Sequence, residues 1–289
     1  MKYLKKGKKK MSELDIIRMI QSIHNEVLDQ VVQFITMLGE SAVILSVILC
    51  IYWGYNKKFG EYIGYSYFTS CLLNNWIKNI FKAERPIGKE GIRSLRTQTA
   101  TGYSFPSGHT QGASSTYFAI GIFLKKRSIR WGSLLLILLV AISRLYLGVH
   151  YPRDVIVGLL LGIIVATITY YLYERTENKQ FLYLATLIVF IPGIFMTSID
   201  FSKSIGTFIG FALGTTIEKR YIQFQENTTL VIKILRCLIG ILVILSLKHV
   251  FKEILGEIRN ATFIIYSSIS FIGFGIYPLF FKGKGQEKK

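Results

Sequence analysis

Residues 131–173 read WGSLLLILLVAISRLYLGVHYPRDVIVGLLLGIIVATITYYLY. Two apolar runs, 131–147 and 152–173, each come close to the ~20 residues that an α-helix needs to cross a bilayer. Ser143 and Arg144 stand near the end of the first, His150 lies between them, and Asp154 opens the second. Pro152 suits a first helical position, where its missing N–H needs no partner. Working outward, further runs fall at about 41–55, 62–81, 109–124, 181–199, 203–217, 229–250 and 263–281. Nine is an upper estimate, because 109–124 is only moderately apolar and 203–217 is short. With 51% hydrophobic residues and a positive mean hydropathy, the 289-residue chain is no ordinary soluble domain. The expected fold class is all-α, a polytopic transmembrane helical bundle.

The formal charge of +18 and the lysine-rich opening, residues 1–10, raise the question of a nucleic-acid partner. Beside membrane spans, lysines are topology signals and bind anionic headgroups, so membrane lipids are the expected partners and nucleic acid is not. Residues 11–38 lack the unbroken apolar core and cleavage site of a signal peptide. Instead, one apolar stripe from Leu14 to Leu38 on an otherwise polar helix suggests either an interfacial helix or an ordinary packing helix. Cys50, Cys71 and Cys237 show no metal spacing and read as packing residues. Gly206, Gly210 and Gly214 share one face of a predicted helix, and Gly158 and Gly162 share another. Such faces permit close packing within the chain or a homodimer.

Three clusters carry chemistry. Lys78 and Arg85, seven residues apart, would lie on nearly one face if their helix continues to Pro86, making an anion clamp. Pro106-Ser107-Gly108-His109 precedes a predicted helix, where free backbone N–H groups bind anions, Gly108 allows close approach and His109 can carry a proton. Arg144 adds a third cation, and Asp154 can fix the tautomer of His150 and free its other nitrogen for attack. The bland alternative for that last pair is an interfacial histidine and an aspartate at the favourable end of a helix dipole. Asp200 and Lys203 fall on the same predicted face, as helix-end residues or headgroup contacts, and His249 reads as interfacial.

Together these clusters resemble the type-2 phosphatidic acid phosphatase superfamily, whose signature is Lys-x6-Arg-Pro, Pro-Ser-Gly-His and Ser-Arg-x5-His-x3-Asp. Every signature position is filled here, in order, between Lys78 and Asp154. The resemblance implies a six-helix-type phosphatase core that includes an interfacial N-terminal helix. Expected divisions are a basic tail and interfacial helix (1–38), a membrane phosphatase core (39–173) and additional C-terminal transmembrane helices (174–289). It also implies roles: His150 as nucleophile, His109 as acid and then base, Asp154 orienting His150, and Lys78, Arg85, Ser107, Gly108 and Arg144 binding phosphate. Neither a cofactor nor a metal is expected. The substrate class implied is a lipid phosphate such as a polyprenyl diphosphate (undecaprenyl included), phosphatidylglycerol phosphate or phosphatidic acid. A phosphotransferase using the same intermediate and a non-catalytic transporter or scaffold are the rival readings. Positive charge at Lys57-Lys58, Lys125–Arg127, Arg130, Arg175, Lys179 and Lys219-Arg220 places the motifs outside the cytoplasm, whereas the lysine-rich opening argues the reverse.

Overall fold

The computed structural model describes residues 11–196, 198–256 and 258–281, so the lysine-rich opening lies outside the described residues. Eleven α-helices order them, with no strand among the described residues: α1 Glu13–Gln21, α2 Glu26–Met37, α3 Ser41–Gly54, α4 Lys57–Phe81, α5 Gly108–Leu124, α6 Arg127–Tyr146, α7 Pro152–Arg175, α8 Lys179–Phe190, α9 Ile199–Ile217, α10 Leu230–Leu255 and α11 Arg259–Phe271. Beyond α11 the chain continues helically through wider and tighter turns to Phe281.

Among the described residues, four helical stretches are long and apolar enough to cross a membrane, namely α6, α7, α10 and Arg259–Phe281. A fifth candidate is the pair α2 and α3, bent by 48°. Helix α4 has the length but carries Lys57, Lys58, Glu61 and Lys78, and it is shielded by neighbours: Tyr62, Tyr65, Phe68 and Leu72 are buried in the core.

Local sequence explains two departures from expectation. The predicted single N-terminal helix is two, because Asn25 caps a new start, its Oδ1 accepting from Leu28 N at 2.8 Å. Its apolar stripe survives on α2, where Val27, Val31 and Phe34 face outward. The predicted span 181–199 is also shorter: α-helix ends at Phe190, and tight turns carry Pro192, which has no N–H to continue the ladder.

One apolar cluster runs from Ile44 to Phe281, so α9 and α11 pack into the same core as α3 and α4. Phe211 lies in ring contact with Phe68 of α4 and Phe274 beyond α11, at centroid distances of 5.2 and 4.9 Å. The glycine faces are used within the chain, which removes the homodimer alternative for them. A Cβ at Gly206 would meet Phe263 O at 2.6 Å, one at Gly214 would meet Gly275 N at 2.9 Å, and one at Gly210 would collide with Ser267 O. Likewise a Cβ at Gly158 would meet Ser107 O at 2.8 Å and one at Gly162 would meet Gln111 O at 2.6 Å, tying α7 to the start of α5. Gly210→Val is therefore expected to cost about 1–3 kcal/mol by overpacking. In detergent its thermal midpoint should fall by several degrees, while Gly132→Ala, where a Cβ meets nothing within 4 Å, should leave it in place.

Candidate active site

The polar segment between α4 and α5 folds across one end of the bundle and is pinned by side chains on three sides. Arg18 donates to Glu90 O at 2.7 Å, and the buried Gln21 amide donates to Arg93 O and Tyr146 O. Arg93 pairs with Asp29 and Arg96 with Glu40, both at 2.7 Å.

Arg85 holds this segment from within. Its guanidinium donates to Gly102 O (3.1 Å), Thr101 O (2.7 Å), Tyr103 O (3.2 Å) and Val149 O (2.9 Å), and Nη1 lies 3.0 Å from His150 Nε2. Lys78 Nζ also donates to Tyr103 O. The two cations meet, but not along one helix face: α4 stops at Phe81, with Lys82 left-handed at φ 47°, and Arg85 approaches from the loop. Burial pushes Arg85 down to about 10, with the Asp154 and Asp200 carboxylates opposing the shift, so it stays charged at neutral pH.

His150 sits in the turn between α6 and α7, with its Nδ1 3.4 Å from Asp154 Oδ2. Ser104 joins both, donating to Asp154 Oδ2 at 2.5 Å and lying 3.3 Å from His150 Nδ1. Tyr151 N also donates to Asp154 Oδ2, at 2.9 Å, and Ser107 N donates to the Asp154 carbonyl, at 2.9 Å. Burial, then the nearby Arg85 and Arg144, hold the His150 imidazole well below its ordinary range.

Ser107 caps α5, with Thr110 N 3.4 Å from its Oγ, and its hydroxyl also bonds the Thr110 hydroxyl at 3.0 Å. Arg144 is fully buried and donates one nitrogen to Thr36 Oγ1 at 2.6 Å. Its Nε and Nη2, together with His109 Nε2, are buried without a hydrogen-bond partner. Lys78, Arg85, Gly108, His109 and His150 line one cavity of about 350 Å³, while Ser107, Arg144 and Asp154 stand outside its lining. No group of three His, Cys, Asp or Glu able to hold a metal occurs among the described residues.

Comparison with known proteins places this geometry. The PAP2 superfamily model matches residues 59–178, and a model described as "PAP2 superfamily phosphatase, transmembrane extension" matches 202–289. Undecaprenyl-diphosphatase BcrC of Bacillus subtilis is 32% identical over 50% of this chain and 74% of its own length. The chain belongs to the PAP2 superfamily. Phosphatidylglycerophosphatase B of B. subtilis is also 32% identical, over 47% of this chain and 71% of its own. The crystal structure of a transmembrane PAP2-type phosphatidylglycerolphosphate phosphatase from B. subtilis superposes with TM-score 0.50 at 26% identity, covering 57% of this chain and 86% of that one. PAP2 membership bears out the expected fold class and enzyme class, a membrane lipid phosphatase.

Several residues that hold this cluster together carry no motif signal. Ser104 stands two residues before Pro106, and no spacing rule marks it. Thr36, partner of Arg144, comes from α2 and is joined only by the fold. Asn74, in sequence merely one more polar residue, donates to Gln111 Oε1 at 2.8 Å and to Pro106 O at 3.3 Å, steadying the start of α5. Asp200 and Lys203 pair at 2.9 Å in the first turns of α9 and line the cavity.

Proposed function

We propose that the chain hydrolyses the phosphate monoester or diphosphate of a lipid, taking the phosphoryl group on His150. One observation carries this: the two faces of the His150 ring meet opposite chemistry. Nδ1 points to the Ser104–Asp154 pair, while Nε2 points to Arg85 and the cavity. A guanidinium can only donate, so Nε2 is the lone-pair nitrogen and Nδ1 carries the proton. That is the tautomer a nucleophile needs.

In the first half-reaction the Nε2 lone pair attacks phosphorus and the bond from phosphorus to the lipid oxygen breaks. His109 gives a proton to that oxygen; burial and the nearby Arg144, Arg85 and Lys78 hold its imidazole well below the ordinary range, so it takes that proton up beside the anionic phosphate. Asp154 and Ser104 stabilise the positive charge left on the phosphorylated ring. In the second half-reaction His109 takes a proton from water, the hydroxide attacks phosphorus, and the P–N bond breaks to return the electron pair to Nε2. Lys78, Arg85 and Arg144, with the Gly108 amide at the start of α5, neutralise the phosphoryl oxygens. The unpartnered donors of Arg144 suit that role. The Ser107 hydroxyl already bonds within α5, so its part is to hold the helix start in place. The substrates named for the relatives make a polyprenyl diphosphate and phosphatidylglycerol phosphate the first candidates.

The site is proposed to face away from the cytoplasm. At the end of the bundle opposite the motifs, Lys57 pairs with Glu218 at 3.0 Å and Lys58 with Glu174 at 2.9 Å, beside Lys125–Arg127, Arg130, Lys179 and Lys219-Arg220. Lys and Arg gathered in short turns of this kind support placing that end on the cytoplasmic side.

Three outcomes test these statements. Purified protein assayed with a lipid-phosphate panel in EDTA should release phosphate, and His150→Ala should lose at least about 10³-fold; equal release by both, or none from any substrate, rejects the mechanism. The acid limb of kcat/KM, which reports the free enzyme, should lie below the ordinary imidazole value of about 6.5, because His150 loses its nucleophilic lone pair only as pH falls through its lowered value. A limb at or above that value contradicts the assignment. In a background with Cys50, Cys71 and Cys237 replaced by serine, an impermeant maleimide on intact cells should label Lys89→Cys and spare Lys126→Cys; the opposite pattern inverts the orientation.

A further inference from the structure

The cavity that holds the two histidines does not end at the motifs. It continues between α3 and α4 on one side and α9, α10 and α11 on the other. Helix α9 turns Asp200, Lys203 and Thr207 toward it, and α10 turns Ile241, Ile244 and Lys248. These positions recur at three-, four- and seven-residue intervals, so each helix presents one continuous stripe.

The lining changes character along its length. Near the motifs it is charged: Asp200 approaches the Arg85-bound turn closely enough that a Cβ at Gly102 would lie 3.1 Å from its Oδ2, and Lys203 pairs with Asp200. Farther in it is apolar. From Lys248 to Ile241 the rise along α10 is about 10 Å. Over that distance the ammonium gives way to Ile241 and Ile244, with Leu49 and Phe68 facing them from α3 and α4. A cationic rim continuous with a deep apolar slot is complementary to an anionic amphiphile. The opposite face of α10 is also apolar and exposed, with Leu238 and Leu242 more than half accessible, as a lipid-facing surface requires.

We infer that α9–α11 form the second wall of a substrate slot, in which the hydrocarbon chain of a lipid phosphate lies between Leu49, Phe68, Ile241 and Ile244 while its phosphate meets Lys78, Arg85 and the histidines. The inference rests on the phosphatase reading above and gives the C-terminal extension a role in binding, since it grips the chain of the substrate rather than its phosphate. An acyl chain and an isoprenoid chain share the required chemistry, and the experiment separates them.

Full-length protein in detergent micelles is irradiated with phosphatidic acid, or with a polyprenyl phosphate, each carrying a diazirine in mid-chain, and the labelled residues are mapped. Label on Ile241, Ile244 or Ile269 from at least one probe is the expected result, and the probe that gives it identifies the chain type. Label confined to outward positions such as Leu238 and Leu242 from both probes overturns the inference. In parallel, Ile244→Trp should lower the ratio of kcat/KM for the long-chain ester over that for phenyl phosphate by at least tenfold, through KM, whereas Leu242→Trp on the outer face keeps the wild-type ratio. A folded Ile244→Trp with the wild-type ratio also overturns it. If the unsubstituted protein releases phosphate from no substrate, the phosphatase reading fails, and the cross-linking result still decides whether the slot binds a chain.

Discussion

The buried carboxylate of Asp154 is the constraint on which the site depends. A carboxylate held away from water must be satisfied by donors, and removing a partner from a buried charge costs about 3–5 kcal/mol. Here those donors come from separate parts of the chain. Ser104 supplies a hydroxyl from the loop after α4, Tyr151 a backbone N–H from the turn that holds His150, and His150 its ring, while the Asp154 carbonyl accepts from Ser107 at the start of α5. All three side-chain contacts fall on Oδ2, while Oδ1 is buried without a hydrogen bond, 3.8 Å from Arg153 Nε; satisfying one oxygen and one carbonyl already fixes the entrances of α5 and α7 and the loop between α4 and α5 in a single arrangement. The glycines of α7 make this possible: without side chains at 158 and 162, the α7 backbone lies against Ser107 and Gln111.

The loop itself would be a poor platform without Arg85. Short polar segments at a bundle end leave carbonyls with few partners, and such groups must be paired. Arg85 answers several at once, and its planar fork is suited to this in a way that a lysine ammonium is not. The same guanidinium touches His150 Nε2, so one side chain organises the loop and faces the nitrogen proposed to react.

Much of this is legible in the sequence because two of its signals are local. Apolar runs mark α3, α6, α7 and α10 to within a few residues, and the ordered motifs mark Lys78, Arg85, His109, Arg144, His150 and Asp154. The failures share a cause. That α4 stops at Phe81, so that Arg85 reaches the site from a loop, depends on where the 82–107 segment is anchored, and those anchors are Arg18, Gln21, Asp29 and Glu40 from distant stretches. Ser104 and Thr36 carry no signal of their own, since a serine or threonine beside an apolar run is common. The break at residues 22–25 is readable, because Asn25 followed by Glu26 is a capping signal, but the continuous apolar stripe outweighs it.

The division of the chain at 173 separates sequence features more than it separates structure. Phe208 and Phe211 of α9 enter the core that α3 and α4 also build, and the glycine face of α9 lets α11 approach to backbone contact. Three helices held this firmly against the site act on the chemistry only through binding energy. Phosphoryl transfer to a histidine needs a fixed line of approach and a dry pocket. An amphiphile gripped along its chain draws affinity from that wall, and the phosphate contacts are left to hold phosphorus against His150. On the proposed reading, the extension meets the chain of the substrate while the motifs meet its phosphate.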